Sequence, residues 1–273
     1  MAETPKPRRV ILVLIDGLGY ETSVRHCGYA EGLVRLGAAR RWRLRTALPS
    51  MSWPLYETVL TGLAPHDHGI TSNEVRRLSR AEHIFGVARR HGRRTGAAAY
   101  SWISELYNKA PFDPKRDIEC DDETRPIQHG RFYLHDSFPD IDLLHQAAAL
   151  IERHAPDFML VHPMGCDTTG HKFGGNSPEY RTQATRMDAL LAALIPDWRA
   201  AGYDVLVTAD HGMNADGYHG GTLDDVCHVA LYHVGHPHGG IVQEEASQLA
   251  VAPTVLSLMG LPIPETMRTA PLR

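Results

Sequence analysis

The apolar positions of this chain fall into short β-branched runs, separated by longer stretches in which apolar residues return every three or four positions. The first pattern predicts buried strands and the second amphipathic helices. The clearest strands are Arg9–Ile15, Thr95–Tyr100, Phe158–Val161, Val205–Thr208 and Val229–Tyr232. Helices are predicted over Thr22–Leu36, Trp53–Thr61, Ala81–His91, Asp142–Arg153, Pro178–Leu194 and Gln243–Met259. Most strands are separated by at least one helix, as a parallel crossover requires. The pattern therefore predicts an α/β domain with a mainly parallel central sheet and helices on both faces. Between Ser101 and Asp140 the rhythm breaks, with Pro111, Pro114, Pro126 and Pro139 set among charges and aromatics. That stretch is expected to be a small inserted loop or lid over one end of the sheet, packed down by Trp102, Tyr107, Phe112, Phe132 and Tyr133. The 273 residues suit one such domain, spanning 1–273, better than two of ordinary size.

Composition narrows the functions. Lys plus Arg is 28 and Asp plus Glu 32, a formal charge of −4, so no footprint for a nucleic-acid polymer is expected. The apolar run Val10–Ile15 behind Met1–Arg9 stops at Asp16, too short for a signal peptide or a membrane span, and a cytoplasmic protein without a membrane partner is expected. Cys27, Cys120, Cys166 and Cys227 form no CxxC pair and are expected to be reduced thiols. Histidine changes the picture, because 17 copies are well above ordinary usage and imply imidazoles with a task.

Three acidic residues follow strands: Asp16 after Ile11-Leu-Val-Leu-Ile15, Asp167 after the Phe158 strand, and Asp210 after Val205-Leu-Val-Thr-Ala209. Ligands of open α/β sheets bind at the carboxyl ends of the strands, so these carboxylates are expected to converge there. Convergence is costly unless cations neutralise it. His171 stands four residues after Asp167, His211 directly follows Asp210, and His219 lies in the glycine-containing stretch Asn214–Gly221. Oxygen and imidazole donors without thiolate suit Zn²⁺ or Mn²⁺. Ser52, just before an apolar segment with Pro54 near its start, reads as the N-cap of a helix. There the positive helix end stabilises a phosphate or an alkoxide, which makes Ser52 the candidate nucleophile and Ser50 its rival.

These segments together resemble a known family. Asp16 in an Ile-Asp-Gly turn, Pro49-Ser-Met-Ser-Trp-Pro54 leading to Leu60-Thr-Gly-Leu63 and His68-Gly-Ile70, Asp167-x-x-Gly-His171, Asp210-His-Gly-Met213 and the closing Ala252–Pro262 are similar to the alkaline phosphatase superfamily. The nearest branch is the type I phosphodiesterase/nucleotide pyrophosphatase group. The resemblance implies an alkaline phosphatase-like fold and two divalent cations. One would be held by Asp167, His171 and His219, the other by Asp16, Asp210 and His211 with the Ser52 oxygen. His219 is placed by its Gly-x-His-Gly context, ahead of His228, His233, His236 and His238. The implied reaction is in-line attack by Ser52 on a small-molecule phosphoester, followed by hydrolysis of a phosphoserine.

The chain departs from the branch at the nucleophile, where Thr is usual, and at Leu55, where an Asn usually follows the Pro. Phosphomonoesterase or sulfatase chemistry on the same scaffold is the nearest alternative, although Tyr56 replaces the arginine of the sulfatase signature. A non-catalytic metal-stabilised protein is the alternative from another class. No arginine is evident near Ser52 in the sequence, and Trp53 and Leu55 are expected to offer apolar surface beside it, so diesters are expected to be preferred over monoesters. His66, His68 and Cys166 are expected to be structural, and Arg89–Arg94 a solvated helix end.

Overall fold

The computed structural model describes residues 8–273; Met1–Pro7, most of the stretch read above as too short for a leader, lie outside the described residues. The strands in chain order are β1 (Arg9–Ile15), β2 (Ala39–Arg45), β3 (Thr95–Tyr100), β4 (Glu119–Asp121), β5 (His129–Tyr133), β6 (Phe158–Val161), β7 (Tyr203–Ala209), β8 (His228–Val234), β9 (Gly240–Ile241) and β10 (Ala246–Ser247). The helices are α1 (Tyr20–His26), α2 (Gly28–Arg35), α3 (Ser52–Thr61), α4 (Pro65–His68), α5 (Ile84–Arg90), α6 (Ser101–Tyr107), α7 (Asp140–His154), α8 (Gly165–Phe173), α9 (Pro178–Ala200), α10 (Asp224–Cys227) and α11 (Val251–Leu258).

All ten strands form one sheet in the order β10-β2-β8-β7-β1-β6-β3-β5-β4, with β9 also beside β2. The centre is parallel, β1 pairing with β6 and β7 and β3 with β5 and β6, while β8 runs antiparallel between β7 and β2. Val10 to Ile15 are buried on both faces, which explains why β1 is a continuous apolar run rather than an alternating one. Helices α1, α2, α7 and α9 pack together on one side, and α3, α5 and α11 on the other. Among the described residues no helix is long and apolar enough to cross a membrane.

Several boundaries differ from the sequence reading. The expected helix Thr22–Leu36 is split at Cys27, and the start of α2 is capped from outside: the Asp188 carboxylate accepts the Tyr29 and Ala30 N–H groups at 2.7 and 3.1 Å. Strand β2 was not predicted, because Arg40, Arg41 and Arg43 mask its alternation; Arg41 is buried and reaches Glu31 at 2.5 Å. The segment after Ser101 is not a lid. It forms α6 and then the β4–β5 hairpin, which extends the sheet beyond β3. Tyr107, Phe132 and Tyr133 are buried there as expected, and Trp102 and Phe112 pack against the same core. The predicted helix Gln243–Met259 yields β10 and a 3₁₀ turn, Gln248–Ala250, before α11.

Removing the Asp188 cap should cost stability without touching the sheet. Asp188→Ala is expected to lower the unfolding free energy by about 1–2 kcal/mol in urea titration, with Asp188→Asn retaining most of it. An unchanged midpoint in the alanine variant would show that α2 holds its start without the carboxylate.

Candidate active site

The turn after β1 sets the site. Gly17 has φ +70°, and a Cβ there would stand 2.8 Å from the Asp167 Cα, so only glycine lets the Asp16 turn pass this close to α8. Asp16 and Asp210 end the adjacent strands β1 and β7, and α8, which follows β6 on the other side of β1, carries Asp167 in its first turn. Three neighbouring parallel strands thus deliver three carboxylates to one place. Asp16 Oδ2 accepts the Tyr56 hydroxyl, and Asp210 Oδ1 accepts the Gly17 and His211 N–H groups at 3.0 and 2.8 Å. Each carboxylate keeps one buried oxygen with no protein partner: Asp16 Oδ1, Asp167 Oδ1 and Asp210 Oδ2.

Three imidazoles face these oxygens, and each is oriented by the backbone. His171 Nδ1–H donates to Gly217 O at 2.8 Å, His211 Nδ1–H to Gly212 O at 2.9 Å, and His219 Nδ1–H to Ser50 O at 3.0 Å. A carbonyl can only accept, so in each ring the bond places the proton on Nδ1 and turns the Nε2 lone pair into the site. His171 Nε2 lies 3.4 Å from Asp167 Oδ2 and 3.2 Å from His219 Nε2. His211 Nε2 lies 3.2 Å from Asp210 Oδ2 and 3.5 Å from Asp16 Oδ1. The His211 and His219 rings stack at 3.8 Å, which joins the two groups into one cluster. Gly217, at φ +81°, makes the turn that returns His219 to His171.

Ser52 is the first residue of α3 rather than its cap; Met51 holds the cap position, and no side-chain cap bond forms. The Ser52 hydroxyl instead points to His211 Nε2 at 3.1 Å. Ser50, the rival, is buried and donates to Gly221 O at 3.1 Å. All seven residues read from the sequence, Asp16, Ser52, Asp167, His171, Asp210, His211 and His219, meet in this pocket. His228 pairs with Glu245 at 3.0 Å and His233 faces Asp204 at 3.7 Å, so neither competes with His219. His68 bonds Thr58 and the Ile70 N–H, and Cys166 is buried, both structural as expected.

Burial, and then Asp210, push the Asp16 carboxyl up to about 8; burial, and then Asp16, push Asp167 to about 8. Burial also raises Asp210 to about 7, against the pull of the Gly17 N–H. Burial and then His211 press His219 down to about 3, leaving it a neutral donor. Three buried carboxyls that resist ionisation, three unpartnered oxygens and three presented lone pairs are the donor set a pair of divalent cations would satisfy.

Four nearby residues were not singled out from the sequence. His162, after β6, is fully buried, with Nε2 3.4 Å from Asp16 Oδ2. Tyr56, at the sulfatase arginine position, packs edge-on against that ring at 4.6 Å and donates to Asp16. Asn73 Oδ1 accepts the Trp53 N–H at 3.0 Å, which turns its amide donors away from that bond. Arg76 lies over the Trp53 and Trp102 rings at 5.8 and 5.3 Å, on the aromatic residue that follows Ser52. The chain fold, rather than sequence spacing, brings it there. Trp53 and Leu55 are fully buried, and the apolar surface expected from them is not available; Trp102, tilted against Trp53 at 4.9 Å, and Tyr100 are the partly exposed aromatics of this region. Arg116, Arg125 and Arg131 pair with Asp113, Asp122 and Asp121.

The fold and this cluster define a protein of the alkaline phosphatase superfamily. The sequence model of the type I phosphodiesterase/nucleotide pyrophosphatase family matches residues 10–246, and the chain belongs to that family. Murine ectonucleotide pyrophosphatase/phosphodiesterase 5 superimposes with a TM-score of 0.74 over 94% of this chain and 96% of its own, at 14% identity. A phosphonate monoester hydrolase from Silicibacter pomeroyi does so with 0.67 over 97% and 76%, at 16% identity. In sequence the chain is 23% identical to the catalytic subunit of human GPI ethanolamine phosphate transferase 2, over 94% of its own length and 27% of the relative's. It is 24% identical to GPI ethanolamine phosphate transferase 2 of Aspergillus fumigatus, over 94% and 36%. The chain therefore spans roughly a quarter to a third of those relatives.

The raised carboxyl pKa values give a signed pH dependence. In the folded, chelated protein Asp16, Asp167 and Asp210 hold protons more tightly than in the unfolded chain, so their contribution is full below about pH 4 and is lost as pH rises towards about 8. The melting temperature in chelator is expected to fall between about pH 5 and about pH 9, and added Zn²⁺ to restore it most at the alkaline end. A chelated melting temperature flat across that window would contradict the burial of these groups.

Proposed function

We propose that this protein is a two-metal phosphoesterase that prefers diesters and works through a phosphoserine at Ser52. The observation that carries the reading is the meeting, around the Ser52 hydroxyl, of three imidazole Nε2 atoms and three unpartnered carboxylate oxygens. Asp167, His171 and His219 would hold one cation, and Asp16, Asp210 and His211 with Ser52 Oγ the other; Zn²⁺ suits this donor set best and Mn²⁺ next. When bound, such cations supply Lewis acidity, lowering the pKa of the Ser52 hydroxyl and balancing three carboxylates and an alkoxide with equal positive charge.

The chain's own residues do the rest. Ser52, at the N-terminal end of α3, sits in the positive field of the helix. Its Oγ forms the new bond to phosphorus as the ester oxygen departs on the opposite side, and water later cleaves that bond and restores the serine. Asn73, whose Oδ1 is taken by the Trp53 N–H, would offer its amide hydrogens to a non-bridging oxygen. Tyr56 holds Asp16 in place through its hydroxyl, with the His162 ring packed against Tyr56. A nearly neutral centre suits a monoanionic diester better than a dianion, and the partly exposed Trp102 and Tyr100 give its second substituent an apolar wall.

The GPI ethanolamine phosphate transferase relatives support a second reading, in which an alcohol rather than water takes the phosphoryl group from Ser52. Sulfatase chemistry is less well supported, since Tyr56 is committed to Asp16. A purely structural metal site leaves the Ser52 hydroxyl without a purpose.

Three outcomes are expected. Metal analysis should find about two divalent ions per chain, lost together with activity in chelator and reduced in Asp16→Ala, Asp210→Ala and His171→Ala. Full occupancy in all three would show that the ligands are misassigned. Ser52→Ala should fold and take up metal while kcat falls by about a thousandfold or more; near wild-type turnover would move the nucleophile elsewhere. An aryl diester should show the higher kcat/KM, and a monoester advantage of about tenfold would overturn the diesterase reading. Adding alcohol acceptors to the same assay separates transfer from hydrolysis.

A further inference from the structure

A second cluster of metal-ligating side chains lies far from the first. Strands β4 and β5 pair antiparallel with Asp121 directly opposite His129, which places both side chains on one face of the hairpin. His154, the last residue of α7, meets them there. Asp121 Oδ1 is 3.1 Å from His129 Nδ1 and 3.7 Å from His154 Nε2, and the three atoms all lie within 4.8 Å of one another. Arg131 Nη2 holds the other carboxylate oxygen at 3.0 Å, which fixes Oδ1 towards the imidazoles. His129 begins β5, and α7 ends just ahead of β6, so the cluster sits at the amino ends of the parallel strands. The catalytic cluster occupies their carboxyl ends.

We propose that Asp121, His129 and His154 form a structural site for a divalent transition-metal ion of the zinc type, which ties the β4–β5 hairpin to the end of α7. Ligands about 2.1 Å from a tetrahedral centre stand about 3.4 Å apart, and the two measured separations straddle that value. The longer one exceeds hydrogen-bond range, so the His154 nitrogen is drawn to the carboxylate without bonding it. Two imidazoles and one carboxylate are a zinc-type donor set, with Arg131 as the outer partner that orients the acid. The carbonyl end of α7 beside His154 adds a negative field favourable to a cation. The two rings stack at 3.7 Å and 13°, so a shared metal requires one ring to tilt out of the stack to bring both lone pairs onto one point.

The test compares the chelator-stripped full chain with His154→Ala and Asp121→Asn, each checked for folding by circular dichroism. Zn²⁺ uptake is followed by titration calorimetry and Co²⁺ uptake by visible absorption. The wild type is expected to bind one equivalent more than either variant, to show one more cobalt spectrum component, and to gain a larger zinc-dependent rise in melting temperature than either variant. Because the result is a difference between chains with the same catalytic cluster, it stands apart from any assay of turnover. Equal stoichiometry and affinity in wild type and variants would overturn the proposal, as would uptake of the extra equivalent only at millimolar zinc. If Asp121→Asn disturbs the hairpin, His154→Ala at the partly exposed helix end decides alone.

Discussion

Burial of the three acids Asp16, Asp167 and Asp210, sharpened by repulsion among them, is the constraint that organises this molecule. Parallel pairing of β1 with β6 and β7 brings the three acids to the same end of the sheet, and the apolar strands behind them deny water. Like charges at such distances with little solvent are expensive. Everything around them moderates that cost. The Gly17 and His211 N–H groups cover one Asp210 oxygen, Tyr56 covers one Asp16 oxygen, and the imidazoles line the remaining side. What is left over is one bare oxygen per acid, and among the described residues no lysine or arginine pairs with these acids. On the proposed reading, cations from outside would complete the arrangement, and the cost of assembling the acids would then favour their binding.

Much of this was legible in the sequence. Strand-end acids are visible because a buried parallel strand is a continuous apolar run, and the residue that breaks it marks the ligand-binding end. The four-residue spacing of Asp167 and His171 signals a shared helix face, which α8 provides. His219 was legible through its glycines, since only a tight turn such as that at Gly217 could return it to the site. The family resemblance grouped these residues into two sets, which spacing alone could not do.

What escaped the sequence is long-range or polar. Strand β2 is built on arginines, and nothing local shows that Arg41 will be neutralised by Glu31 inside the protein. The prolines between residues 110 and 140 read as a loop, yet β5 finds a parallel partner in β3, an interaction with no local signature. Arg76 and Asn73 reach Trp53, the residue after Ser52, because the chain after α4 doubles back over α3. Ser52 was read as a cap from its position relative to Pro54; its real place one residue further in frees the hydroxyl that capping would have engaged.

The orientation of the three imidazoles has a consequence for how this centre tolerates change. His171, His211 and His219 take their tautomer from main-chain carbonyls, at Gly217, Gly212 and Ser50, rather than from neighbouring acids. In many metal centres a carboxylate does that work, and one substitution then misdirects a ligand. Here the instruction is written in the path of the backbone, which side-chain changes outside the glycine turns at Gly212 and Gly217 leave in place. Sequence drift around the pocket is therefore free to reshape the walls that choose a substrate while the ligand geometry is inherited intact. Such an arrangement lets one scaffold diversify across ester chemistries without rebuilding its centre.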